Sequence, residues 1–198
     1  MRLVTTFLDR PLQAFLDELA TGSPVPGGGS AAAVTTAMAA GLLAMVARAS
    51  AEQWSEARSV AAQAEALRNR VEPLAQADAI AYGEALRLLE QPGGGDPDRR
   101  DERLADALER AADLPLRIAE VACDVAGLGV VVAERGDPKM RADAAAAVLL
   151  AESAVRIGQH LVRINLVTRP DDARLARAGE LVEEAERLAR RALEHSRG

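Results

Sequence analysis

Aromatic side chains are scarce in this sequence: one Trp, one Tyr and two Phe, 2% of 198 residues. Rings therefore cannot fill its core, which falls to Ala, Leu and Val at close helix spacing. The single cysteine, Cys123, excludes an intrachain disulfide and a cysteine-built zinc site. Its apolar setting in AEVACDVAG assigns it to the core. His160 and His195 are the two histidines, and they make no metal-ligand motif. Positive charge is in deficit, 24 Lys and Arg against 30 Asp and Glu. Without a dense basic patch, that balance speaks against a nucleic-acid partner. Apolar runs such as AVTTAMAAGLLAMVA stop short of the roughly 20 residues that span a bilayer, so no membrane contact is expected. Charges in MRLVTTFLDR come too early for a secretory signal. The expectation is a cytoplasmic protein, with residues 1–198 forming a single helical domain.

What the sequence does have is helical periodicity, and no alternating strand pattern competes with it. Pro11 suits the first turn of a helix reaching Leu19, with Asp9 as its cap and Leu12, Phe15, Leu16 and Leu19 on one side. Ser30 is positioned to cap a second helix, in which Val34, Met38, Leu42 and Met45 recur near the helix period. Residues 52–90 read as helix along Val60, Ala64, Leu67, Val71 and Leu74, with Pro73 expected to bend or split it. QPGGGDPDRRDER reads as an exposed loop. A stripe from Leu104 through Ala111 continues past Pro115 to Val132, and after RGDPKMRAD another runs from Asp143 to Ile164. A last helix carries Leu181, Ala185, Leu188 and Ala192 on one face and most of its charges elsewhere.

The stretch TGSPVPGGGSAAA fixes a turn with prolines and then strips it of side chains, just before the alanine-rich helix. Gly27, Gly28 and Gly29 expose backbone N–H groups, and Ser30 opens a helix whose positive end favours an electron-rich ligand group. A helix cap and a close interhelical crossing explain the same residues equally well, and no lysine follows at P-loop spacing. Asp78 continues the stripe from Leu74 to Tyr82. Its carboxylate must be paired, hydrogen-bonded or set at a cleft edge, unless Pro73 turns it to solvent. Asp143 either stabilises its helix start or faces a ligand from the head of an apolar stripe. Glu152, Arg156, His160 and Arg163 form a polar band followed by Asn165. Glu152 and Arg156 are adequately explained as paired surface charges. His160 can exchange protons near neutral pH, and Arg163 can receive a carboxylate. Nothing in the spacing assembles Ser30 and His160 into a hydrolytic triad.

In order along the chain, FLDELATGSPVPGGGSAAAVTTAMAAGLLAMVA, LAQADAIAYGEAL, AADLPLRIAEVACDV, RGDPKMRADAAAAVLLAESA and HLVRINL resemble the formimidoyltetrahydrofolate cyclodeaminase and methenyltetrahydrofolate cyclohydrolase family. The Pro-Gly-Gly-Gly-Ser run is the most specific of these matches. The resemblance implies an all-α fold, an elongated multi-helix bundle that assembles as a homodimer and binds a reduced folate in a helical groove. It implies either loss of ammonia from 5-formimidoyltetrahydrofolate to give the 5,10-methenyl form, or hydrolysis of that form to 10-formyltetrahydrofolate. The sequence gives no positive evidence for a metal or nicotinamide cofactor, and none is expected beyond the tetrahydrofolate derivative that is the substrate. At matching positions it nominates Asp78 and Asp143 as catalytic carboxylates, and Gly27, Gly28, Gly29, Ser30 and Asn165 as folate-binding. His160 and Arg163, from the polar band, join the folate-binding set. Where the family pattern has Ser-Asp this chain has Ala142 and Asp143, and His160 stands where that pattern has Asn. The alternative is a helical folate-binding or assembly protein without turnover.

Overall fold

The structure is a computed structural model and describes residues 6–90 and 97–196. Among the described residues there are six α-helices: α1 (Leu12–Leu19), α2 (Gly28–Ala49), α3 (Ala57–Glu90), α4 (Pro97–Arg135), α5 (Arg141–Asn165) and α6 (Ala173–Ser196). Short 3₁₀ turns occupy Phe7–Asp9 and Pro138–Met140. At 39 residues, α4 alone is about 58 Å long, so the bundle is elongated.

Alanine decides the packing. In α2, Ala33, Ala39, Ala40 and Ala47 are fully buried beside Leu43 and Val46, on one broad face of the helix. With no side chain longer than a methyl at so many positions, α3, α4 and α5 all pack directly on α2. α4 packs on α2, α3, α5 and α6, and against it α2 and α5 are neighbours. They run antiparallel. Gly28, at the start of α2, faces Ile157 and Leu161 near the end of α5. Ser50, just past the end of α2, accepts a 2.8 Å hydrogen bond from the Asp137 amide, just before α5.

Several local expectations are corrected. Asp9 does not cap α1: its carboxylate folds back to accept from the Thr6 amide and hydroxyl at 2.8 and 2.9 Å, closing the first 3₁₀ turn. Ser30 does not cap α2, which begins at Gly28 with Gly27 as N-cap. α3 is not split at Pro73, while α4 continues through Pro115 as its stripe implies. Each proline removes one backbone donor, and buried neighbours such as Val71, Leu74 and Ile118 hold the helix regardless. Of QPGGGDPDRRDER, residues 91–96 lie outside the described residues. From Pro97 onward the stretch is the opening of α4, where proline fits the first helical position. Met38 and Met45, expected inside, are 48% and 41% exposed because alanines take the inner positions of α2. Leu12 and Leu16 on α1 are exposed as well, leaving Phe15 as the buried residue of that helix. α2 and the Pro138–Asn165 stretch are long and apolar enough to cross a bilayer by length and composition, contrary to the sequence expectation. Burial against neighbouring helices accounts for much of the apolar character of α2.

A candidate active site at the glycine-rich end of α2

The turn before α2 delivers the first residues of that helix into a gap between α3, α4 and α5. The resulting cleft encloses about 280 Å³. Pro24, Val25 and the three glycines line one side; Asp78 and Tyr82 of α3, Ala111 and Pro115 of α4, and Leu161, Ile164 and Asn165 of α5 line the rest.

Asp78 explains why the turn carries no side chains. A Cβ placed on Gly29 would fall inside the Asp78 carboxyl group, so the carboxyl occupies the volume that any other residue would claim. The first amides of a helix have no acceptor within it, and Gly27, as N-cap, has no side chain to offer one. The missing acceptor arrives from another helix: the Ser30 amide hydrogen-bonds to Asp78. The Asp78 side chain is only 9% exposed. Burial pushes its pKa up to about 6, against the downward pull of the Ser30 amide and then of the Ser30 hydroxyl. A carboxyl with that pKa passes between its acid and base forms close to neutral pH, as proton-transfer catalysis requires.

Asn165 is the second polar group of the cleft. It is 7% exposed, and among the described residues its side-chain amide has no hydrogen-bond partner. Because it lines the cleft, this amide is available to donate to and accept from a ligand there. Tyr82 stands one helical turn beyond Asp78 and forms the outer wall. Its spacing was visible in the sequence, but nothing there marked it as a site residue.

The remaining nominated residues are distributed differently. Ser30 is 0% exposed and sits behind the cleft, its hydroxyl donating to the Ala75 carbonyl at 2.8 Å. It acts on Asp78 and is not among the residues lining the cleft. His160 and Arg163 are exposed on α5, adjacent in sequence to the lining residues Leu161 and Ile164 but not among them. Asp143 is exposed in the first turn of α5, at the far end of that helix. It precedes Leu161 by some 27 Å along the helix axis, about 1.5 Å for each residue between them, so within one chain it does not meet Asp78.

A larger groove of about 750 Å³ lies between α3, α4 and α6 and contains Cys123. Its chemistry is quieter. Burial, helped by Glu184 and Asp124, pushes the Cys123 thiol up and keeps it protonated. The groove acid Asp124 is already paired with Arg70 at 3.2 Å. The smaller cleft, with a titratable buried acid and an open amide, is the better candidate despite its size.

The chain has clear relatives among known proteins. The chain is 32% identical over 162 residues to the methenyltetrahydrofolate cyclohydrolase of Methylorubrum extorquens, covering 78% of each protein. It is 31% identical over 196 residues to the formimidoyltransferase-cyclodeaminase of Sus scrofa, covering 93% of this chain but 36% of that longer protein. Among solved structures, formiminotetrahydrofolate cyclodeaminase from Thermotoga maritima superposes with a TM-score of 0.82 at 25% identity, over 96% of both chains. With its residues 11–186 matching the family profile, this chain belongs to the formiminotransferase-cyclodeaminase family.

Proposed function

We propose that the chain interconverts folate one-carbon units at the Asp78 cleft, and that its reaction is hydrolysis of 5,10-methenyltetrahydrofolate to 10-formyltetrahydrofolate. The observation that carries this reading is a buried carboxyl with a pKa of about 6, set against Gly29 in a cleft that Gly28 and Asn165 also line. The match to a cyclohydrolase over an equal share of both proteins supports the choice of reaction.

In its ionised form Asp78 faces the cationic methenyl carbon and takes a proton from water as the water oxygen bonds to that carbon. The carbon–N5 bond then breaks as the formyl C=O forms. Asp78 returns its proton to N5, and the remaining hydroxyl proton is released to solvent. The Gly28 and Gly29 amides and Asn165 orient the ring and the developing oxygen. The cleft, about 280 Å³, falls just below the roughly 300–1,000 Å³ of pockets that enclose a whole drug-sized ligand, so it takes the reacting end of the folate.

Cyclodeamination is the second reading, favoured by the fold match to the Thermotoga maritima protein. There N10 attacks the formimidoyl carbon, and Asp78 supplies the proton with which ammonia departs.

A homodimer belongs to this proposal. Met38 and Met45 on α2 and Leu149 and Ile164 on α5 are exposed on adjacent helices, an apolar stripe that a second copy would cover. Because α2 and α5 are antiparallel, a two-fold axis crossing near Met38 carries Asp143 of the partner subunit towards the His160 end of the stripe. That arrangement would return Asp143 to the neighbourhood of the cleft.

The test follows methenyltetrahydrofolate absorbance above its spontaneous hydrolysis. Protein-proportional loss that vanishes in Asp78→Asn is expected. No acceleration, with ammonia released from the formimidoyl substrate instead, selects the second reading; neither activity in the folded protein leaves a binding protein. The active preparation should sediment as a dimer, and a fully active monomer would discard the two-subunit arrangement.

A further inference from the structure

Ser30 is fully buried behind the cleft. A serine hydroxyl has one proton to give, and here it goes to the Ala75 carbonyl at 2.8 Å. That carbonyl lies inside α3, where it already accepts the backbone amide four residues on, so it does not depend on the serine. Asp78 follows Ala75 by one helical turn and packs against Gly29, the residue before Ser30. The hydroxyl donates to the Ala75 carbonyl and also acts on the Asp78 carboxyl, and of these two acceptors only the carboxyl can change its charge.

We propose that Ser30 is a positioning residue that keeps Asp78 hydrogen-bonded in both protonation states, its hydroxyl donating to Ala75 while accepting from the neutral carboxyl, then turning to donate to the carboxylate. This rests on the reading of Asp78 as the proton carrier. An acid that must cycle inside a buried site otherwise leaves one of its two forms short of a partner, and an unsatisfied buried charge is the more costly of the two. The hydroxyl matters most to the ionised form, because a charge-assisted hydrogen bond is about twice as strong as a neutral one. The neutral form has a second outlet, since its O–H can point into the cleft. Both the amide and the hydroxyl of Ser30 act to lower the Asp78 pKa from where burial alone would set it.

No other charge competes for that control. Of the residues lining the cleft from the turn, α2, α3, α4 and α5, the titratable ones are Asp78 and Tyr82. His160 and Arg163 stand on the exposed part of α5.

The test is a ¹³Cγ NMR titration of the aspartates in the free protein, with Asp78 assigned by its disappearance in Asp78→Asn. In Ser30→Ala the Asp78 midpoint should rise by about 1 pH unit from its wild-type value of about 6. In Ser30→Cys, a weak donor of similar size, it should rise by less. The limb of the pH–rate profile should move by the same amounts. An unchanged midpoint in Ser30→Ala of wild-type helicity overturns the proposal, because a serine that only ties α2 to α3 would not move a carboxyl titration. Should Ser30→Ala fail to fold, an unchanged midpoint in Ser30→Cys overturns it equally. A midpoint that shifts while the rate profile stays put upholds the role of Ser30 and removes Asp78 as the proton carrier, so the two readings fail separately.

Discussion

α2 has a buried serine at each end, and the two have opposite kinds of partner. Ser50 donates to the Val46 carbonyl at 2.8 Å and accepts from the Asp137 amide at 2.8 Å. Both partners are backbone groups that cannot change charge or leave. Ser30 donates to a carbonyl in the same way, but its remaining side meets Asp78, and beyond Asp78 lies an amide, Asn165, with nothing to bind. Burial of polar groups is common to both ends, so burial alone does not mark a site. What distinguishes the glycine-rich end is a partner that titrates and another that is missing.

Gly29→Ala should blur this difference most, since its Cβ must expel the Asp78 carboxyl from the start of α2. We expect a loss of about 3 kcal/mol of stability together with loss of turnover. Gly28→Ala is the control. Its Cβ would come no nearer than 3.9 Å to Leu161, and alanine should match or exceed glycine in stability by denaturant titration. If the two variants behave alike, the carboxyl does not depend on the missing side chain.

Asp78→Asn should act in the opposite direction on stability. A carboxyl whose pKa rises from 3.8 to about 6 on folding favours the native state below about pH 4, and that contribution is lost as pH rises through about 6. At pH 7 the ionised acid therefore costs up to about 3 kcal/mol, which the neutral amide does not. The variant should be inactive yet melt higher than wild type at pH 7, with the gap closing towards pH 4. A lower melting temperature at pH 7 would refute the view that Asp78 is held at the expense of stability.

Ser50→Ala gives the smallest effect. It strands the Asp137 amide and should lower stability by about 1–2 kcal/mol while kcat and KM stay at wild-type values. Altered kinetics would mean that the closed end communicates with the cleft.

Much of this was legible in the sequence, and the misreadings share a physical origin. The glycine turn stands out as a motif, Asp78 by its place on an apolar stripe and Asn165 only through the family resemblance, and all three line one cleft. The face of α6 carrying Leu181, Ala185 and Ala192 was also read correctly, because there the apolar residues are the buried ones. On α2 the stripe of larger apolar residues runs through Val34, Met38, Leu42 and Met45, yet Met38 and Met45 are exposed, because in a helix this rich in alanine the small side chains face inward. Ser30 looked like a cap because caps are sought next to the helix they serve; this one comes from Asp78, on a different helix. Asp143 was grouped with the site by its kinship to a pattern, and only the length of α5 reveals how far away one chain holds it.

The single tryptophan and single tyrosine fall at opposite ends of α2. Trp54 is buried just past Ser50, its indole N–H 2.6 Å from Glu56, whereas Tyr82 forms the wall of the cleft. Their emission can thus be read as two separate optical channels without adding a label. Tryptophan fluorescence reports whether the closed end is folded, while the tyrosine, on the cleft wall, is the one whose surroundings a ligand in the cleft changes directly.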